Sequence, residues 1–296
     1  MKQGDGNCCV ELGRVTWMRP LQPLYRLPDV ELVTTTSPSF FGRMVYALTH
    51  TYLSDERNRE YYADRYTCFP PPLFVIVVTL IELGVFTYYS VTMGEITTTS
   101  TVPIDSFFIY RPDKRTEIWR FVFYMVLHSG WLHLLFNLLV QVLVGIPLEM
   151  VHGSIRIGTV YMAGVVAGSL GTSVFDTDVF LVGASGGVYA LLAAHLANVL
   201  LNYNQMEFGI IRVIGVIIIA SADVGVAIYD RYAGNQEGTP VSYVAHLTGA
   251  FAGLTIGLLV LKNFDQKFYE QLLWWAALGV YAACTLFAIL FNIFNY

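Results

Sequence analysis

The stretch GASGGVYALLAAHLANVLLN, residues 183–202, opens with a G-x-S-x-G pentapeptide and continues as an apolar run. About 20 mostly apolar residues are enough to cross a bilayer as a helix. A serine held between glycines, Ser185 here, is typical of an enzyme nucleophile. The combination predicts a reactive serine at the start of a membrane helix, although the chemistry of such a serine usually needs water.

Composition indicates an integral membrane protein. Of the 296 residues, 55% are hydrophobic and 13% are charged, with a mean hydropathy of +0.54. A soluble domain carries roughly 25% charged residues. So few charges cannot cover a surface that faces water, and helices are the ordinary way for such a chain to satisfy its backbone in lipid. We therefore expect an all-α polytopic membrane protein.

Charge and cysteine content exclude several classes of function. The net charge of −5 gives no sign of nucleic-acid binding. The four cysteines form no C-x-x-C pair, which argues against a disulfide scaffold and against a zinc site. Residues 1–69 contain no D-x-D-x-D-G loop of the kind that binds calcium. We predict no metal site and no cofactor.

The chain divides into a polar N-terminal region, residues 1–69, and a membrane domain, residues 70–293. The N-terminal region is expected to be largely irregular and cytoplasmic, and residues 93–130 to form the first extracytoplasmic loop. Hydropathy predicts seven spans. They cover about 73–92, 131–150, 156–175, 184–202, 210–229, 242–262 and 272–293.

The distribution of Lys and Arg predicts the orientation of these spans. With the N-terminus in the cytoplasm, twelve of the 17 Lys and Arg residues fall inside and five outside. An excess of positive charge on the cytoplasmic side is the usual pattern. The C-terminus is then expected outside.

Polar residues cluster at the start of three spans that all run from outside to inside. The second span begins with His128, His133 and Asn137, the fourth with Ser185, and the sixth carries His246. These side chains should lie at similar depth near the outer surface. Because their predicted depths agree, we favour one shared site over three unrelated positions of polar residues.

These residue types can carry out acyl transfer. A serine becomes a strong nucleophile when a base takes its proton, and His246 can act as that base near neutral pH. The N–H of Ser185, together with Asn137 and His133, can donate hydrogen bonds to an oxyanion. Tyr189, one turn after Ser185, can stack on the His246 ring. No acidic residue is placed in the sequence to orient His246, which favours a Ser–His dyad over a triad.

Glycines in the spans predict close helix packing. Gly249, Gly253 and Gly257 recur every four residues and share one face of the sixth span, while Gly164 and Gly168 lie in the third. Small residues on one face allow two helix backbones to approach closely. Such packing can bring His246 to a serine on a neighbouring helix.

Other polar residues within the spans are expected to have structural roles. Glu82 and Asp223 are charges in the membrane, where an ionisable group is a functional candidate by default. Neither lies near Ser185 in sequence, so we favour an interior pairing or hydrogen-bonding role for both. His152 and His195 are likewise expected to be structural.

At these residues the chain resembles the rhomboid family of intramembrane serine proteases. The resemblance covers about residues 70–293. Within the family, the chain is similar to the animal secretory-pathway branch with a seventh, C-terminal span. The segments that carry it are Tyr66-Thr67-Cys68-Phe69-Pro70-Pro71-Pro72, Trp119-Arg120, His133-Leu134-Leu135-Phe136-Asn137, Gly183-Ala184-Ser185-Gly186-Gly187-Val188-Tyr189-Ala190 and Ala245-His246-Leu247-x-Gly249-x-x-x-Gly253.

The resemblance implies cleavage of single-span membrane proteins in or near their transmembrane segment. It implies release of ectodomains such as epidermal-growth-factor-type ligand precursors, and a location in the Golgi or plasma membrane. Ser185 is then the nucleophile and His246 the base. The oxyanion would be bound by His133, Asn137 and the Ser185 N–H. The motifs also assign supporting roles to Tyr189, Gly183, Gly187, Gly249 and Gly253. Trp119 and Arg120 would form a structural motif of the first loop.

The resemblance also suggests how water reaches the serine. The segment Val179-Phe180-Leu181-Val182 is expected to leave the helix and dip into the outer leaflet. The fifth span and its loop to the sixth are expected to control substrate access from lipid. Two alternatives stay open: a proteolytically inactive relative that binds membrane clients, and a seven-span receptor or transporter.

Overall fold

The computed structural model describes residues 71–94, 102–103, 105–201, 209–232, 242–261 and 268–295. All of them belong to one compact unit, residues 38–296. Within these ranges the chain is mostly helical, and its strand-type pairing is limited to an antiparallel bridge between Tyr110 and Leu181. The predicted all-α polytopic fold is confirmed. The predictions for residues 1–69 lie outside the described residues.

Seven long helices occupy the positions of the predicted spans, and a short helix, α2 (Arg120–Phe123), lies in the first loop. The long helices are α1 (Leu73–Met93), α3 (Trp131–His152), α4 (Ser154–Phe175), α5 (Ser185–Leu201), α6 (Gly209–Tyr232), α7 (Tyr243–Val260) and α8 (Phe268–Phe294). Five of them, α1, α3, α4, α7 and most of α8, are long and apolar enough to cross a membrane. α5 is a shorter apolar helix. The count of seven spans and the orientation stay predictions.

Helix α3 changes its winding in the middle, where the π-helical segment Gln141–Gly145 separates two α-helical parts. Pro147 follows this segment and has no N–H to donate to the preceding turn.

Glu82 of α1 accepts two hydrogen bonds in the interior. Gln141 Nε2 donates to Glu82 Oε2 over 3.3 Å, and the Tyr161 hydroxyl donates to Glu82 Oε1 over 3.0 Å. The expected interior hydrogen-bonding role of Glu82 is thereby confirmed.

A second carboxylate ties α1 to α3. The two oxygens of Glu149 accept hydrogen bonds from the Phe74 and Val75 N–H groups, at 2.7 and 2.9 Å. The first N–H groups of a helix have no partner within it, and the N-terminus carries partial positive charge. Glu149 accepts hydrogen bonds from these N–H groups and places a negative charge at the positive end of α1. It thereby fixes the start of α1 against the end of α3.

Glycines bring α7 into backbone contact with α5. A Cβ placed on each of three α7 glycines would collide with α5. The colliding pairs are Gly249 with Gly186, Gly253 with Ala190, and Gly257 with Ala194. Both partners advance by four residues at each step, so the two helices run parallel and in constant register. The expected close packing of the glycine face is confirmed.

Helix α4 covers another face of α5 by the same means. A Cβ on Gly164 would meet Ala190 and the carbonyl oxygen of Gly186, and the Gly187 position lies against the Tyr161 ring. Val188 and Leu191 of α5 are fully buried. α5 is therefore the central helix of the bundle, enclosed by protein rather than by lipid.

This packing predicts an asymmetric response to Gly→Ala substitution. Gly253→Ala should lower the free energy of unfolding by about 1–3 kcal/mol, because the added methyl group forces α7 away from the Ala190 backbone. Gly279→Ala in α8 is the matched control, since its added Cβ meets nothing within 4 Å. Chemical unfolding in detergent micelles measures both, and equal stability of the two variants would contradict the packing.

Candidate active site

Ser185 begins α5 directly after a sharp turn. Gly183 has φ of +114°, a conformation that residues with a Cβ rarely adopt. A Cβ at Gly183 would also lie 2.6 Å from His133 Cε1, so the His133 ring packs directly on this turn. Ser185 is buried, and it sits where the N–H groups of a helix have no partner within the helix. The turn thus presents a hydroxyl and free donors at one point.

Two residues of the first loop hold this turn in place. The carbonyl oxygen of Tyr124 accepts a hydrogen bond from the Gly183 N–H over 3.1 Å. His128 Nε2 accepts from the Ala184 N–H over 3.4 Å. Burial, and then the neighbouring His133, lower the pKa of His128, so its ring stays neutral and keeps an acceptor nitrogen. The backbone before Ser185 is therefore fixed from the side of the first loop.

His133 and Asn137 lie one turn apart on α3 and interact. Asn137 Nδ2 donates to the His133 carbonyl oxygen over 2.8 Å, and His133 Nδ1 lies 3.1 Å from the Ser129 hydroxyl. Within the described ranges, His133 Nε2 and Asn137 Oδ1 are buried without a hydrogen-bond partner. An amide nitrogen carries two hydrogens, so Asn137 keeps one for a further acceptor. Both side chains have hydrogen-bonding capacity left over.

His246 is fixed by a ring stack with Tyr189. The two ring centroids are 4.5 Å apart and the planes differ by 12°. His246 is 1% exposed, and its two ring nitrogens make no hydrogen bond within the described part of the chain. A buried imidazole whose two nitrogens make no hydrogen bond is unusual for a structural residue.

An acidic residue faces His246, and the expectation that none would do so is wrong. Asp223 Oδ2 on α6 lies 3.4 Å from His246 Nδ1 and accepts a 3.0 Å hydrogen bond from the Tyr189 hydroxyl. Spacing in the sequence could not predict this contact, because α6 comes to lie beside α5 and α7 only in the folded bundle. The Tyr189 hydroxyl supplies the interior hydrogen bond that was expected for Asp223.

Trp119 and Arg120 organise the first loop by hydrogen bonds. The Arg120 guanidinium is buried and donates to the carbonyl oxygens of Ser106 and Ile109, at 2.8 and 2.7 Å. Its Nε donates to Glu117 over 2.5 Å. Trp119 stacks on a phenylalanine ring of the same loop. A buried guanidinium with three such partners holds the loop in one shape.

The first loop in turn holds the segment before Ser185. Tyr110 and Leu181 exchange two backbone hydrogen bonds of 3.1 Å each. The Arg111 guanidinium lies 5.6 Å from the centre of the Phe180 ring. The segment Val179–Val182 is not helical, as the sequence analysis predicts, and the bridge connects it to the loop organised by Arg120.

The structure also separates some polar residues from this cluster. His152 lies at the far end of α3, and His195 lies further along α5. Among the described residues, no group of three or more His, Cys, Asp or Glu side chains could hold a metal ion. Tyr124 belongs to none of the sequence motifs, and its position shortly after Trp119-Arg120 is the one signal that could have indicated it.

Comparison with known proteins places the chain among close relatives. Residues 115–263 match the rhomboid domain family. Rhomboid-related protein 2 of Mus musculus is 45% identical over 257 residues, which cover 86% of this chain and 85% of that protein. Rhomboid-related protein 3 of Homo sapiens is 41% identical over 93% of this chain and 70% of that protein. Inactive rhomboid-related protein 2 of Caenorhabditis elegans is 31% identical over 72% of this chain and 61% of that protein.

The loop contacts predict that Arg120 is important for stability. Arg120→Met should lower the free energy of unfolding by roughly 2–4 kcal/mol, because buried carbonyl oxygens and Glu117 lose a charged donor. Lys114→Met in the same loop is the control, since that side chain is 40% exposed. Unfolding in detergent micelles measures both, and a loss of under 0.5 kcal/mol in Arg120→Met would contradict the assigned role.

Proposed function

The chain belongs to the rhomboid family, and we propose that it is an active intramembrane serine endopeptidase. Family membership by itself supports an intramembrane protease-type function. The observation that carries the finer proposal is the backbone contact between α5 and α7, which brings the turn bearing Ser185 and the turn bearing His246 together. Ser185 is proposed as the nucleophile and His246 as the general base.

The proposed reaction is acyl transfer through a covalent intermediate. The Ser185 oxygen bonds to the carbonyl carbon of the scissile peptide while its proton moves to His246 Nε2. The electron pair of the carbonyl π bond moves to the carbonyl oxygen. His246 then gives the proton to the leaving amine as the peptide bond breaks, and water releases the acyl group by the reverse sequence.

The tetrahedral intermediate needs donors that are already in place. His133 and Asn137 lie on the α3 side of the turn at Gly183, with hydrogen-bonding capacity unused by protein partners. The N–H of Ser185, at the start of α5, supplies a third donor. We propose that these three groups form the oxyanion hole. Donors fixed in advance cost no reorganisation during the reaction.

Support for an active enzyme comes from the residues that the chain retains. One relative is named an inactive rhomboid-related protein, so membership of the family alone does not decide activity. Here Ser185 and His246 are both present, and Tyr189 stacks on the His246 ring. A retained pair in this geometry favours proteolysis over client binding alone.

The proposed substrates are single-span membrane proteins cut within or next to their transmembrane segment. Epidermal-growth-factor-type ligand precursors are proposed examples, which would place the chain in growth-factor receptor signalling. We further propose location in the Golgi or plasma membrane, with a cytoplasmic N-terminus. Lipid-facing side chains of α1, α6 and α8 support contact with the bilayer, because many of their large apolar residues are exposed.

Release of an ectodomain tests the proposed activity. Cells expressing the wild type with a tagged single-span ligand precursor should release the tag into the medium, and Ser185→Ala should abolish release because the nucleophile is gone. Ser221→Ala, an exposed serine on α6, is the control and should release as much as the wild type. Equal release from Ser185→Ala and wild type would refute the protease assignment.

Removal of one oxyanion donor gives a graded effect. Asn137→Ala should lower kcat by roughly 10–1000-fold, the range expected when one preorganised donor is lost. The measurement is kcat on a single-span substrate in detergent micelles. Asn295→Ala is the control, because that side chain is exposed and bonds only within the last turn of α8. An unchanged kcat in Asn137→Ala would show that another group stabilises the oxyanion.

A further inference from the structure

We propose that Asp223 is a positioning residue for His246. Its carboxylate lies within ion-pair distance of Nδ1 and favours the form of the imidazole with the proton on that nitrogen, which leaves Nε2 free to take the proton of Ser185. This inference rests on the proposed function, since it assigns a partner to the general base of that reaction. It adds to the proposed pair of Ser185 and His246 a third group, carried on α6, that orients the base.

The geometry is a closed set of three contacts. Asp223 Oδ2 lies 3.4 Å from His246 Nδ1, and the Tyr189 hydroxyl donates to the same oxygen over 3.0 Å. The Tyr189 ring stacks on the His246 ring at 4.5 Å. Tyr189 therefore touches both the base and the carboxylate. A shift of any one of these side chains disturbs the other two.

The orientation of the ring determines which nitrogen can act. Nδ1 faces the Asp223 carboxylate, and a carboxylate accepts but does not donate hydrogen bonds. The neutral imidazole is then favoured in the form with hydrogen on Nδ1 and a lone pair on Nε2. That lone pair is what a general base needs. In this arrangement the proton moves only between Ser185, His246 and the leaving amine.

Burial makes the interaction effective. The His246 side chain is 1% exposed and that of Asp223 is 18% exposed. In such surroundings opposite charges attract much more strongly than in water. When His246 becomes positively charged in the transition state, the carboxylate at its Nδ1 stabilises that charge. The stabilisation arises during the reaction, so it affects kcat rather than substrate binding.

Helix α6 is held to the rest of the bundle near this carboxylate. The Tyr189 hydroxyl also lies 3.1 Å from the carbonyl oxygen of Ala220, three residues before Asp223. Further toward the N-terminus of α6, large apolar side chains point outward; they include Ile210, Ile211, Ile214, Ile217 and Ile218. Tyr189 thus fixes on α5 the part of α6 that carries Asp223.

The test uses the purified full chain in detergent micelles, with two readouts. The first is kcat and KM on a single-span substrate; the second is the rate at which a fluorophosphonate labels Ser185. Asp223→Asn keeps the size of the side chain but lets its amide donate to Nδ1, which favours the wrong tautomer. The corresponding change in a fully buried triad costs about 10⁴-fold. For this longer, partly exposed contact we expect both kcat and labelling to fall by about 10–100-fold, with KM changed less than about threefold.

Further variants separate positioning from simple loss of structure. Tyr189→Phe keeps the ring stack and removes the donor to Asp223, so kcat should fall by about 2–10-fold. The double variant should be no slower than Asp223→Asn alone, because both changes act through one network. Asp223→Glu restores the charge and should recover part of the labelling rate. Ser221→Ala, on the same helix, should match the wild type.

Three results would overturn the proposal. Wild-type kcat and labelling in Asp223→Asn would show that the carboxylate does not orient His246. Slower cleavage with unchanged labelling would place Asp223 in substrate access instead. Should Asp223→Asn fail to fold, wild-type kcat and wild-type labelling in Tyr189→Phe would overturn the proposal in its place. Failure of the proposed function is distinct, since Ser185→Ala would then keep wild-type cleavage.

Discussion

Backbone contact between α5 and α7 is the constraint on which the rest of the site depends. A helix pair in lipid gains little from the hydrophobic effect, so close van der Waals packing has to hold it together. Glycines at 249, 253 and 257 remove the side chains that would keep the backbones apart. The same register that packs Gly253 on Ala190 sets His246 beside the start of α5. The same glycines therefore determine both the packing of the two helices and the position of the proposed base.

A second constraint comes from the polar groups that reactive chemistry requires inside a bilayer. Irregular backbone at membrane depth is tolerated where protein covers it. Here the Tyr124 carbonyl oxygen and the His128 ring accept hydrogen bonds from the Gly183 and Ala184 N–H groups. The bridge to Tyr110 connects the preceding segment to the loop that Arg120 holds. The first loop is thus part of the support of the site, although it contributes none of the proposed reacting groups.

The sequence predicted the helical class, the positions of the long helices and the glycine contacts, because hydropathy and four-residue spacing are local signals. It also predicted that polar residues at the start of spans with the same direction lie at similar depth, as for Ser185 and His246. It could not predict the contact between Asp223 and His246, which depends on where α6 packs after a long connection. It also missed Tyr124, whose role comes from its backbone carbonyl rather than from a motif.

The most direct test of this account is to map the site of fluorophosphonate modification by mass spectrometry in the wild type and in His246→Ala. Ser185 should be the modified residue in the wild type, because α7 brings a base to it. The adduct should be lost or greatly reduced in His246→Ala, while the variant remains folded. Modification of a different residue, or equal modification of Ser185 in both proteins, would contradict the claim that the packing of α5 and α7 assembles the reactive site.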